Sequence, residues 1–295
     1  MSKSILIIKL DAAGDVLRTT CILPGLKKID PEIDNVTWIT DAKNKPLLKY
    51  NKSITHLIAS SQAEQALSNK FDYAVNFDED LEACDFLTIA KADKKFGFTN
   101  DGGKYKPVNE ASAYAYQMSH DDILKFKLNK KTYQQIIFEM CEIEWDGEFY
   151  DFNYPVEKGN YIALNSEVGD KWPTKKWQNW DGLERLLKKE RIHYEKQQQF
   201  DNIESYFKWI AQAQMVITSD SLGMHLAIAM KKPTIALFGP TSHVEIEDYG
   251  IAQKVYDYTL ECLVCYKSKC PYSHECMIMI DEKEIMKRIM REIDG

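Results

Sequence analysis

The stretch VITSDSLGMHLAIAMKKPTIALFGPTS, residues 216–242, strings together an apolar strand pattern, a helical pattern and a second apolar strand pattern. The first run ends at Thr218, "SLGMHLAIAMK" reads as the helix, and "TIALFG" leads into another turn of small residues, "GPTS". Short continuous apolar runs joined by a helix are the mark of parallel strands buried on both faces, with the helix as crossover. Ser219 or Asp220 is expected to cap the helix, leaving its first backbone N–H groups aimed at the carboxyl edge of the strands. Such a helix start takes phosphate or another anion. Gly223 is expected to let a ligand approach the backbone, and His225 to donate to a phosphate oxygen. Taken alone, the same residues also describe a capped helix with an interior histidine.

The alternation extends in both directions. Toward the N-terminus run "SILIIKL" and "DVLRTTCILPGLKKI", "NVTWIT" and "AKNKPLLKY", "ITHLIA" and "QAEQALSN", then "YAVNF" and "DLEACDFLTIAK". "KKFGFTNDGGKYK", residues 94–106, reads as a break built from glycine, charge and turn formers, and "HDDILKFKLNKKTYQQIIFEMCEI" as one or two helices. Aromatics, Pro155 and Gly159 mark a linker within residues 146–160. Beyond it the pattern restarts with "YIALNS", a helix from "WQNW", a short strand at "IHYEKQ" and the helix "NIESYFKWIAQA". The reading is an α/β chain of two Rossmann-like domains, residues 1–153 and 154–295. The terminal segment "DEKEIMKRIMREI" places Ile285, Ile289 and Ile293 on one helical stripe, expected to pack on a core.

Composition agrees with two domains: the chain has 295 residues, 44% of them hydrophobic. A formal net charge of −7 argues against a surface that grips nucleic acid, so any bound anion must meet a local basic site. The chain opens on a strand pattern rather than a signal peptide and has no apolar run of membrane-spanning length, so a cytoplasmic location is expected. Four of its seven cysteines, Cys262, Cys265, Cys270 and Cys276, fall within fifteen residues as C-x2-C-x4-C-x5-C, and in a reducing compartment they suggest a metal more than disulfides. Four close thiols suit structural zinc, or iron equally, with His274 able to replace one of them.

Two further stretches carry polar residues at expected strand ends. "NSEVGDKWPTKKWQNW" gathers Lys171, Lys175 and Lys176 among three tryptophans, with Pro173 delaying the helix until the third. In an acidic chain this cluster fits a diphosphate, or else solvated lysines on a loop anchored by tryptophan. "IIKLDAAGDVLRTT", residues 7–20, runs from a strand into a turn with Asp11 and Asp15, of which either is a chemical group or a helix cap.

These three stretches, in this order, resemble the lipopolysaccharide heptosyltransferases, the family nine glycosyltransferases. "IIKLDAAGDVLRTTCILPGLKK" resembles the family's N-terminal strand and turn, "DKWPTKKW" its lysine–tryptophan loop, and "SDSLGMHLAIAMKKPTIALFGPTS" its donor-site signature. The resemblance implies two Rossmann-like domains facing each other across a cleft, the GT-B fold, with the acceptor on the first and the nucleotide sugar on the second. It implies an inverting, metal-independent transfer of a heptose or related sugar from a nucleotide donor, ADP-heptose foremost, to lipopolysaccharide core or a protein. By the same resemblance Asp15 is the general base. Lys171 pairs with the donor diphosphate, and Asp220, Ser221, Gly223, His225 and Thr241 form the donor loop. Asp11, Gly14 and Arg18 belong to the acceptor-side loop, although Asp11 departs from the serine or threonine of many relatives. A carboxylate base and a metal-free clamp of lysine and helix terminus meet the demands of such a transfer. A lipid-linked acceptor is compatible with peripheral association at the inner face of the membrane.

Other classes fit less well. A haloacid-dehalogenase-type phosphatase needs a second aspartate two residues beyond the first, where this chain has Ala13. "FDEDL" offers Asp78 and Asp80 as an Asp-x-Asp metal pair, but acidic residues at a strand end read more readily as solvated edge and cap residues. No Gly-x-Gly-x-x-Gly occurs, which disfavours a dinucleotide oxidoreductase. The alternative from a different class is a non-catalytic or regulatory sugar-nucleotide binder of the same fold.

Overall fold

The computed structural model describes residues 2–294, the side chain of Asp294 excepted, so the extreme ends of the two expected domain ranges lie outside it. The chain divides into two compact units, the first ending at Asn153 and the second beginning at Tyr154.

In the first unit the strands are β1 (Lys3–Ile8), β2 (Ile33–Thr40), β3 (His56–Ala59), β4 (Lys70–Asn76), β5 (Lys91–Asp101) and β6 (Lys104–Pro107). They form one sheet in the order β3-β2-β1-β4-β5-β6, parallel throughout except for the β5–β6 pair. Ile5, Leu6, Ile7 and Ile8 of β1 are fully buried, as a central parallel strand covered on both faces requires. The β5–β6 hairpin corrects the expected break at residues 94–106. Gly102 (φ 62°) and Gly103 (φ 81°) form a two-residue turn with both central residues at positive φ, whose twist matches antiparallel strands. After the hairpin come the helix Ala113–Met118, a π-helical turn Leu124–Leu128 and the helix Tyr133–Met140. Thr132 starts this last helix in a reciprocal capping box with Gln135.

The second unit holds β7 (Tyr161–Asn165), β8 (Tyr194–Lys196), β9 (Ala213–Ser219), β10 (Thr234–Leu237) and β11 (Ala252–Val255). The order is β11-β10-β9-β7-β8, all parallel. The helix Trp180–Lys189 buries Trp180, Leu183 and Leu187 in one cluster with Ile285, Met286 and Ile289 of the helix Glu282–Asp294. Ile285 and Ile289 are fully buried, whereas Ile293, expected on the same stripe, is exposed. Trp177 is also fully buried, its Nε1 donating to the Ile280 carbonyl at 3.0 Å, so this tryptophan anchors its loop to the core. No helix among the described residues is long and apolar enough to cross a membrane.

Each sheet reverses its winding direction once. Strand order runs outward from β1 through β2 and β3 on one side and from β4 on the other; in the second unit it runs from β7 to β8 and from β9 through β10 to β11. In open α/β sheets, ligands bind beyond the carboxyl ends of the strands flanking that reversal.

Candidate functional site

In the second unit the reversal lies between β7 and β9, whose ladder pairs Asn165 with Thr218 at its carboxyl end. Asn165 Nδ2 donates to Thr218 Oγ1 (2.9 Å) and Ser221 Oγ (3.0 Å), and Tyr206 OH donates to Asn165 Oδ1 (2.7 Å). This network holds the start of the helix Leu222–Ala229, for which Ser221 is the N-cap residue without a side-chain cap bond. The expected capping by Ser219 or Asp220 is therefore corrected. The Asp220 carboxylate instead accepts from Lys175 Nζ and from Thr241 Oγ1, each at 2.7 Å. Lys175 Nζ also donates to the Asp220 carbonyl at 3.1 Å. Both partners are nearly buried, with side chains 14% and 13% exposed. Burial pushes the Asp220 carboxyl up, but the charges of Lys175 and His225 and the bonds from Lys175 and Thr241 more than offset this and hold it below the ordinary carboxylate value.

Of the expected donor residues, Asp220 and Thr241 thus meet directly, Ser221 heads the helix, and His225 is buried within range of the Asp220 charge. Lys171 stands exposed in the turn closed by the Trp172 N–H to Gly169 carbonyl bond (3.0 Å). The lysine that reaches Asp220 is Lys175, carried inward by the short 3-10 turn Pro173–Lys175, in which Thr174 is buried. The reading of Gly223 changes as well. A Cβ there would lie 2.4 Å from the Tyr206 hydroxyl and 2.5 Å from Asn165 Nδ2, so the glycine makes room for the protein's own network. Tyr206 and Asn165 went unnoticed in the sequence because one is in a different helix and the other reads as the end of an apolar strand.

The cysteine loop lies against this site. Val264 N–H donates to the Gly239 carbonyl (3.0 Å), Tyr266 N–H to the Pro240 carbonyl (2.8 Å), and Thr174 Oγ1 to the Lys267 carbonyl (2.8 Å). Cys262, Cys265, Cys270 and Cys276 are free thiols, all half-buried. Burial pushes the Cys276 thiol up to about 11, reinforced by Cys265, Cys262 and Cys270. Among the described residues no group of three or more His, Cys, Asp or Glu converges in a metal-holding arrangement.

In the first unit the reversal lies between β1 and β4. Lys9, just past β1, is paired with Asp78, just past β4, and Asp78 also accepts the Leu10 N–H at 2.5 Å. These side chains are 6% and 11% exposed, which corrects the expectation that Asp78 is a solvated edge residue; Asp80 does cap the helix Leu81–Ile89, accepting from Glu82 N–H at 2.9 Å. Burial works against the Lys9 charge, but Asp78, Tyr133 and Asp15 hold its pKa above the ordinary lysine value. The chain then turns through Ala12 at φ 59°, a conformation rare outside glycine, into the helix Ala13–Thr19 with Gly14 and Asp15 in its first turn. Asp15 Oδ1 pairs with Arg18 Nη2 at 2.9 Å; the carboxylate is 36% exposed and the arginine 11%. Asp11, in contrast, is exposed on the turn and pairs with Lys43 at 2.7 Å.

Residues 202–275, which hold Asp220 to Thr241 and most of the cysteine loop, match the sequence model of glycosyltransferase family 9 (heptosyltransferase). Lipooligosaccharide heptosyltransferase 2 of Campylobacter jejuni is 27% identical over 109 residues, 36% of this chain and 34% of that protein. The chain's match therefore spans about a third of the length of such curated relatives. The structure described as E. coli ADP-heptose lipopolysaccharide heptosyltransferase II superposes with a TM-score of 0.71 at 13% identity, covering 98% of both chains. E. coli heptosyltransferase WaaC with ADP-2-deoxy-2-fluoro heptose superposes with a TM-score of 0.66 at 14% identity, covering 98% of this chain and 99% of WaaC. At these identities the structural likeness establishes the fold, two Rossmann-like units of the GT-B type. Over residues 202–275 and in the segment shared with the curated relatives, the chain is thus similar to the heptosyltransferases of glycosyltransferase family 9.

Proposed function

We propose that the chain is an inverting, metal-independent glycosyltransferase that moves a heptose or related sugar from a nucleotide donor, ADP-heptose foremost, to a bacterial surface glycan such as lipopolysaccharide core or to a protein. The observation that supports it most is the gathering of Lys175, Asp220 and Thr241 beside the start of the helix Leu222–Ala229, inside the family-matched segment. Backbone N–H groups at a helix start and nearby lysines stabilise the negative charge growing on a departing nucleoside diphosphate, without a catalytic metal. On this reading the second unit takes the donor and the first the acceptor. Asp15 accepts the proton of the acceptor hydroxyl as its oxygen attacks the anomeric carbon opposite the leaving ADP, which inverts that centre. An acceptor attached to lipid accords with peripheral association at the inner face of the membrane.

The structural zinc or iron proposed for the four cysteines rests on their all-thiol C-x2-C-x4-C-x5-C spacing, on a loop bonded to the carbonyls of Gly239 and Pro240; as placed among the described residues, the cysteines do not converge on an ion site. Such an ion would be held by Cys262, Cys265, Cys270 and Cys276 and would stiffen the Gly239–Ser242 turn.

The test is calorimetric titration with ADP, UDP, GDP and CMP, with and without Mg²⁺, followed by a transfer assay from ADP-heptose. Selective, Mg²⁺-independent ADP binding that Lys175→Ala weakens, with transfer abolished by Asp15→Asn, supports the proposal. A folded protein that binds none of the four nucleotides overturns it; ADP binding without transfer to any acceptor leaves a sugar-nucleotide binder.

A further inference from the structure

The helix that carries Asp15 is tied to a second helix through a residue that the reaction as proposed does not use. The Arg18 guanidinium lies over the Tyr133 ring, 3.8 Å from its centroid, while its Nη2 meets Asp15 Oδ1 at 2.9 Å. Tyr133 is locked in turn, its hydroxyl 2.7 Å from Thr19 Oγ1, which donates to the Asp15 carbonyl at 2.6 Å. Burial pushes the Tyr133 phenol up to about 12, so the ring is neutral and presents an intact π-face to the guanidinium. We propose that Arg18 is a positioning residue, clamped by Tyr133, that fixes the orientation and the charge of the Asp15 carboxylate. The inference rests on the reading of Asp15 as base, but the clamp is measurable without it.

A carboxylate on a surface helix ordinarily samples several rotamers, and arginine holds it in one because its planar fork is rigid and always charged. Stacking restrains the arginine itself, so the order of the base is set by residues from two helices. The groups facing Asp15 are Arg18 on its own helix, Lys9 after β1 with its partner Asp78, Tyr133, and Tyr150 from the chain before the second unit. Arg18 is in direct ion contact with Asp15, at 2.9 Å. Loss of a cation at this distance makes a carboxylate easier to protonate, so its titration moves to higher pH.

The experiment reads the carboxyl-carbon chemical shift of Asp15 by NMR against pH, in the wild type, Arg18→Met, Arg18→Lys and Tyr133→Leu. Met keeps the apolar stem without the charge, Lys keeps the charge without the fork, and Leu removes the ring. The expected midpoint rises by about one pH unit in Arg18→Met, by less in Tyr133→Leu, and returns close to wild type in Arg18→Lys. With transfer as readout, kcat/KM falls about tenfold to a hundredfold in Arg18→Met, its acid limb moves up in step, and ADP affinity is unchanged. An unmoved Asp15 midpoint in folded Arg18→Met and Tyr133→Leu overturns the clamp. Full transfer by Asp15→Asn overturns the base reading instead, and the two failures are distinct.

Discussion

Both units place a lysine–aspartate pair where the sheet reverses direction, with the lysine following the first strand and the aspartate following the strand beside it. In the first unit the pair is Lys9–Asp78, and Asp78 also takes the Leu10 N–H, so the two strand ends are tied together with their charges sealed inside. In the second unit Lys175 arrives ten residues past β7, and Asp220 is shared with Thr241 beside a helix start. One device thus serves two purposes. Desolvated and attached directly to the strands, it closes the reversal point; carried on loops next to a helix terminus, it joins the lysine–tryptophan loop to the helix start that we propose for the donor diphosphate. In the first unit the more accessible carboxylate sits on the helix, at the half-buried Asp15.

The sharpest way to break this comparison is to remove one lysine at a time. Lys9→Met leaves Asp78 buried without its counter-charge and should destabilise the first unit by about 3–5 kcal/mol, read as the shift of its urea transition, with ADP affinity of the folded protein unchanged. Asp78→Asn in the same chain should recover much of that loss. A Lys9→Met protein that folds normally but no longer binds ADP would show that the first pair is not a purely internal tie. Lys175→Ala should cost the second unit less, about 1–3 kcal/mol, because both partners retain some contact with water, yet should weaken ADP binding at least tenfold. Calorimetry alongside Lys171→Ala then ranks the two lysines.

Gly223→Ala sharpens the comparison from the backbone side. Its methyl would overlap the Tyr206 hydroxyl and Asn165 Nδ2, at an expected loss of about 1–3 kcal/mol by thermal unfolding. Tyr206→Phe, which removes the clashing oxygen, should make the double variant less than additive. Acidity separates the units further. The Asp220 carboxyl lies below its ordinary value, so its contribution is present above the unfolded-state pKa of about 3.9 and is lost as pH falls through the lower, folded value. Lys9 lies above its ordinary value, so its contribution is complete below about pH 10.4 and is lost only as pH rises through the higher, folded value. Unfolding followed from pH 2 to 5 should show the Asp220 contribution disappearing in the wild type and absent in Asp220→Asn. The smallest effect is expected at Asp80→Ala, where the cap of the helix Leu81–Ile89 is lost for about 1 kcal/mol with nucleotide binding untouched.

The sequence alone determined what depends on neighbours along the chain. Continuous apolar runs such as residues 5–8 and 215–217, alternating with helical patterns, read as buried parallel strands, and Pro173 put off the helix to Trp180 because proline has no N–H to give and crowds the preceding turn. Glycine and charge hid the hairpin at residues 94–106, although Asp-Gly-Gly is itself a turn signal between strands. Tertiary structure alone decided which charges meet. Lys171, Lys175 and Lys176 are equivalent cations in the sequence; the 3-10 turn and the buried Thr174 carry one of them to Asp220. Asp78 reads as one of three acidic residues at a strand end until the parallel register sets it beside Lys9, sixty-nine residues away. Gly223 reads as space for a ligand until Tyr206 fills that space. The physical reason is common to all three: periodicity and backbone preference are local quantities, whereas the energy of a buried charge or a close approach depends on whichever distant residue the fold brings within a few ångströms.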